Sequence, residues 1–90
     1  MVYTHAQVMV SDYENWRAVF DNGRSTRMAF GATGVEEVYR GLENPNAITA
    51  ITEWKSVEDA QRYSQAPGLK EAMANSGVIS MSSMQFLNRA

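Results

Sequence analysis

Between residues 2 and 10 the chain alternates with period two. Val2, Thr4, Ala6, Val8 and Val10 fall on one side, and Tyr3, His5, Gln7 and Met9 on the other. Successive side chains of a strand point to opposite faces, so this run predicts a β-strand. Neither side carries an acidic or basic run, which predicts that both faces are covered. A single helical layer covers only one of them; a second chain would cover the other. Next comes Ser11-Asp12-Tyr13-Glu14, which fits the S-x-x-E capping box, and the helix it opens is expected to run to about Phe30, stopped by Gly31 and Gly34. At roughly 100° per residue, Tyr13, Trp16, Val19, Phe20, Gly23, Arg27 and Phe30 share a stripe about 120° wide, a normal buried width. Gly23 and Arg27 are the unexpected members.

Val35–Leu42 and Ala47–Trp54 read as strands joined by the turn residues Glu43-Asn44-Pro45-Asn46, a hairpin. Ser56-Val57-Glu58-Asp59 resembles a second capping box. Its helix breaks at Ala66-Pro67-Gly68, because proline removes an amide and disfavours helix at the residue before it. A short piece from Leu69 to about Asn75 ends at Gly77, and Ile79 to Leu87 alternates as a last strand. The order β-α-β-β-α-β predicts one α+β, ferredoxin-like domain over residues 1–90. It has a four-stranded antiparallel sheet with both helices on one face.

Composition narrows the function. Ninety residues form a marginal core, and with no cysteine a disulfide cannot reinforce it. One histidine makes a metal site an unusual choice, so none is expected. A partner chain is the remaining reinforcement. The net charge of −2, with eight scattered Lys and Arg, argues against nucleic acid. No apolar stretch approaches the ~20 residues that span a bilayer, and residues 1–5 lack a signal-peptide pattern. No membrane partner is expected, and the cytoplasm is the default location.

Three segments carry a resemblance: Asp12-Tyr13 with Trp16-Arg17 and Phe20-Asp21; Glu53-Trp54-Lys55-Ser56; and Ala66-Pro67-Gly68-Leu69-Lys70-Glu71-Ala72-Met73. With the element order, they make the whole chain resemble the dimeric α/β-barrel superfamily, and within it the antibiotic-biosynthesis-monooxygenase-like and stress-responsive barrel domains. The resemblance implies a homodimer packed through sheet faces. It does not imply one reaction, since the superfamily includes cofactor-free oxygenases, haem-degrading oxygenases, polyketide cyclases and proteins without known activity. The haem-degrading branch carries a tryptophan and a ligating histidine where this chain has Tyr63 and Met73, and a first-strand asparagine where it has Gln7. The resemblance therefore points away from haem, and no cofactor is expected.

Each candidate site residue has two readings. His5, the sole imidazole, suits a general acid or base, or a structural place on a strand. Trp16, Phe20 and Trp54 suit stacking on an aromatic ligand, or core packing. Tyr63, beside the helix break, offers a hydroxyl to a ligand or to water, and Tyr39 is ambiguous in the same way. Met73, Met81 and Met84 suit an adaptable pocket or gap filling. Gln7 offers an amide. Ser56 and Asp59 are tied to capping. Arg27, mid-stripe, needs an anion: Glu37, Glu53 or a ligand carboxylate or phenolate, unless its stem snorkels to solvent.

The expected function is a small-molecule-binding homodimeric barrel for a small aromatic or apolar ligand. The resemblance adds cofactor-free oxygenation or cyclisation of a phenolic or polyketide-like compound. In that chemistry Arg27 would hold an enolate or phenolate oxygen and His5 or Tyr63 would move a proton. The alternative is a non-catalytic domain that binds a metabolite or only dimerises.

Overall fold

The computed structural model describes all 90 residues. Its elements run β1 (Val2–Val10), α1 (Tyr13–Asn22), α2 (Arg24–Phe30), β2 (Ala32–Arg40), β3 (Ala47–Trp54), α3 (Val57–Ser64), α4 (Pro67–Asn75) and β4 (Val78–Asn88). The strands form one antiparallel sheet in the order β2-β3-β1-β4. Each of the two helices expected between strands is broken into a pair. No helix is long and apolar enough to cross a membrane.

The first break falls at Gly23. Its amide bonds the carbonyls of Val19 and Phe20, while the Phe20 carbonyl also accepts from the Arg27 guanidinium at 2.8 Å. A carbonyl drawn off to a side chain, next to a residue without Cβ, is where the helix turns. The second break falls at Ala66-Pro67 as expected, although α4 begins at Pro67 rather than Leu69; proline is favoured at the first helical position.

Caps and ends differ in detail from the sequence reading. Asp12, not Ser11, caps α1 and accepts from the Glu14 amide at 3.2 Å. Ser11 instead donates its amide to the Gly77 carbonyl, tying the start of α1 to the end of α4. Ser56 caps α3 through the Asp59 amide, as its spacing implies. β2 starts at Ala32, three residues before the expected Val35, and its pairing with β3 is irregular between Ala32 and Glu36. Gly31 and Gly34, with φ of 124° and 99°, make that irregular entry possible.

Both helix pairs lie on one face of the sheet. Toward them point Thr4, Ala6, Val8 and Val10 of β1, and Ile48, Ala50, Thr52 and Trp54 of β3. The core forms two clusters. Val8, Val10, Trp16 and Ile48 pack at one end, and Ala32, Trp54 and Ala60 at the other. Between them the inner face of the sheet carries Ala6 directly opposite Ala50 in register. Two methyl groups cannot fill the space that Ile48 and Trp54 fill on either side. A hollow follows.

Candidate functional site

The hollow is a cavity of about 140 Å³ between helices and sheet. Ala6, Ala50 and Thr52 form its floor, Trp16, Phe20 and Arg27 one wall, and Trp54, Tyr63, Leu69 and Met73 the other. Met81 and Met84 stand at the β4 side. Tyr63 and Leu69 also line a wider outer cleft of about 380 Å³, where α2 faces the Ala66-Pro67-Gly68 break. These two side chains therefore separate the outer cleft from the inner chamber.

Eight of the residues singled out in the sequence meet here: Trp16, Phe20, Arg27, Trp54, Tyr63, Met73, Met81 and Met84. Trp16 stacks on Phe20 with ring centroids 4.9 Å apart. Trp54 is 1% exposed and its indole N–H donates to the Thr4 hydroxyl at 3.0 Å, so its polar edge is satisfied inside the fold. Tyr63 sits against Trp54 at 5.3 Å and edge-on to Phe30 at 5.6 Å. That packing fixes its ring between cleft and chamber. His5 and Gln7 do not reach this cavity. They stand on the opposite face of β1, where the His5 Nδ1 is buried without a hydrogen-bond partner.

Arg27 is 4% exposed, as its position in the helical stripe requires. Its anion is neither Glu37 nor Glu53. The Arg27 Nε donates to Glu36 at 2.8 Å, its Nη2 donates to the Phe20 carbonyl, and its guanidinium lies 3.9 Å over the Phe20 ring. Glu36 pairs with Thr52 across the sheet and so faces the helices, whereas Glu37 pairs with Ile51 and faces away. Glu53, also on the open face, accepts from Thr33 at 2.8 Å and Tyr3 at 2.9 Å. Those two hydrogen bonds hold its carboxyl below the usual carboxylate range. Gly23 gives Arg27 its room, since a Cβ there would stand 3.0 Å from Nη1.

Two features of the site escaped the sequence reading. Glu36 carries no signal in the sequence as the partner of Arg27, since on β2 the outward set Val35, Glu37 and Tyr39 is more apolar than the inward set Glu36, Val38 and Arg40. Partners on the helices reverse that preference: Arg27 takes Glu36, and Arg40 lies 3.9 Å over the Tyr13 ring. The Ala6–Ala50 floor was invisible because it depends on strand register. Small residues on the inward side of two strand patterns were the available signal.

No protein-family model and no curated protein matches the sequence. Solved structures do. A candidate antibiotic biosynthesis monooxygenase from Bordetella bronchiseptica superposes with a TM-score of 0.80 at 15% identity, covering 99% of this chain and 96% of the other. SnoaB from Streptomyces nogalater, a cofactor-independent oxygenase, gives 0.73 at 14% identity, over 99% and 92%. A second candidate antibiotic biosynthesis monooxygenase, from Chloroflexus aurantiacus, gives 0.72 at 16%, over 100% and 94%. Matches this complete at such identities speak for the fold. The chain has the ferredoxin-like barrel fold of the antibiotic-biosynthesis-monooxygenase-like proteins.

Proposed function

We propose that this chain binds a small aromatic molecule in the cavity between its helices and its sheet, and works as a homodimer joined through the open sheet face. The observation that carries the reading is a chamber walled by aromatic and methionine side chains, with the Arg27 guanidinium and the Tyr63 and Thr52 hydroxyls as its polar groups. Its volume matches the roughly 150 Å³ apolar cavity known to accept benzene, so the chamber suits one ring. A larger ligand would extend past Tyr63 and Leu69 into the outer cleft.

The chemistry that the fold likeness supports is cofactor-independent oxygenation of a phenolic or polyketide-like compound. Trp16, Phe20, Trp54 and Met73 would orient the ring, and Arg27 would donate to an oxygen on it. The substrate C–H would lose its proton, with Tyr63 relaying it to water. The carbanion gives one electron to dioxygen, the substrate radical and superoxide join as a C–O bond, and the protonated hydroperoxide loses water to leave a carbonyl group. His5 and Gln7 have no role in this chamber. A second reading, binding without turnover, is favoured by the Arg27–Glu36 pair, which already occupies the guanidinium, and by His5 lying behind the sheet.

Oxygen uptake tests the choice. Purified protein is mixed with anthrone or 1-naphthol under air, followed by oxygen electrode and product absorbance. The oxygenase reading expects uptake proportional to protein and a fall of about 100-fold or more in Tyr63→Phe, the usual effect of losing a proton-transfer group. Saturable binding of either compound without oxygen uptake selects the binding reading.

A further inference from the structure

We propose that the ligand of this cavity is electrically neutral, an aromatic ketone or phenol rather than an aromatic carboxylate, and that Glu36 sets this selection. The inference rests on the ligand-binding reading above and narrows its substrate class.

Arg27 is the one formally charged residue among those lining the inner chamber. Left alone it would attract an anion. Glu36 already holds it at 2.8 Å with its own side chain only 14% exposed, so the buried pair has no net charge. Arg24 approaches the other Glu36 oxygen at 3.9 Å, but its side chain is 53% exposed and water screens it. Glu53 and Glu37 lie on the far side of the sheet. A carboxylate entering the chamber would sit beside Glu36 as a second anion on the same guanidinium, among aromatic and methionine side chains. Charge buried without compensation in such surroundings is strongly disfavoured.

A neutral oxygen meets no such obstacle. Nε of Arg27 is engaged by Glu36 and Nη2 by the Phe20 carbonyl. Nη1 makes no hydrogen bond within the chain and lies beside Gly23, in a smaller adjoining hollow of about 90 Å³ that shares Trp16, Phe20, Arg27 and Tyr63 with the inner chamber. In the proposed complex its N–H groups donate to the oxygen of a ketone or phenol. Glu36 thus orients the guanidinium and cancels its charge, leaving a hydrogen-bond donor in place of a cation. It is a specificity-determining residue that acts through Arg27.

Acetophenone and benzoate are matched probes, similar in size and opposite in charge state at neutral pH. Binding is read from the indole N–H signals of Trp16 and Trp54 by NMR; they are the two tryptophans of the chain and both line the chamber. For the wild-type protein, acetophenone is expected to bind at least about tenfold more tightly than benzoate, the ratio that one net hydrogen bond supplies. In Glu36→Gln the guanidinium charge is uncompensated, and benzoate affinity is expected to rise about tenfold or more while acetophenone changes little. A structural role for Glu36 alone would weaken both probes together. If Glu36→Gln does not fold, the charge-free pair Arg27→Met/Glu36→Leu provides the second arm: acetophenone should lose about tenfold and benzoate should stay weak. Equal binding of both probes by the wild type, or tighter binding of benzoate, overturns this proposal and leaves the ligand-binding reading intact. Binding of neither probe overturns both.

Discussion

A buried arginine is informative only together with its counter-charge. Arg27 faces the interior of this protein because helical periodicity leaves it nowhere else, and it is tolerated because Glu36, the Phe20 carbonyl and the Phe20 ring surround it. Arg27→Met keeps the stem's volume but removes the charge, leaving the Glu36 carboxylate half of a broken pair. The expected loss is about 2–4 kcal/mol, somewhat below the usual range for a fully buried pair because Glu36 keeps some exposure and Arg24 remains close. Adding Glu36→Leu should recover more than half of that loss, since an apolar pair in place of an ion pair is often neutral. Urea unfolding of the wild type, both single variants and the double variant gives the coupling directly. Additive single losses would mean that the two side chains do not depend on each other.

At the scale of elements, the two glycine-bearing junctions do different jobs. Gly31 closes α2 with φ of 124° and passes its carbonyl to the Lys55 amide at 3.0 Å, joining the helix end to the end of β3. A Cβ at this position would also run into the Asp59 carboxylate, which Arg62 holds in place. Gly31→Ala is therefore expected to cost at least about 2 kcal/mol, from backbone strain and collision together. Gly68→Ala is the internal control. It lies in the first turn of α4 with nothing near its Cβ position, so it should be neutral or gain up to about 1 kcal/mol. Equal effects of the two substitutions in urea unfolding would contradict this account. The same scale explains what could be read from the sequence. Element order, the hairpin, the Ser56 cap and the proline break depend on neighbours within a few residues, where periodicity and turn chemistry act. The Gly23 break, the early start of β2 and the Ala6–Ala50 floor depend on contacts between distant segments. Helical spacing could place Trp16, Phe20 and Arg27 on one face, but it could not say that Glu36 would be waiting there or that the floor beneath them was empty.

The whole molecule is a sheet with one dressed face. Helices cover the side that carries Trp54 and Ile48, while Tyr3, His5, Gln7 and Met9 of β1 and Thr49, Ile51 and Glu53 of β3 look outward with no helix of their own chain above them. Only 11 of 90 residues are buried, a small core for an independent domain. On the open face Glu53 is held ionised by Thr33 and Tyr3, and Arg89 donates to the same tyrosine, so both charged groups are hydrogen-bonded within the chain. At its centre the His5 Nδ1 is buried and unbonded, a polar atom for which a second chain can provide the partner. A C2 pairing of two open faces meets each of these needs at once. The expected outcome is a dimer in sedimentation at micromolar concentration, with a melting temperature that rises with protein concentration, as mass action requires. Ile51→Arg, directly opposite His5 in register, places a charge at the centre of that face and should give a monomer that melts lower than the wild type. A wild-type chain that sediments as a stable monomer, with a melting temperature independent of concentration, would refute the pairing and leave the uncharged strip of β1 without a function.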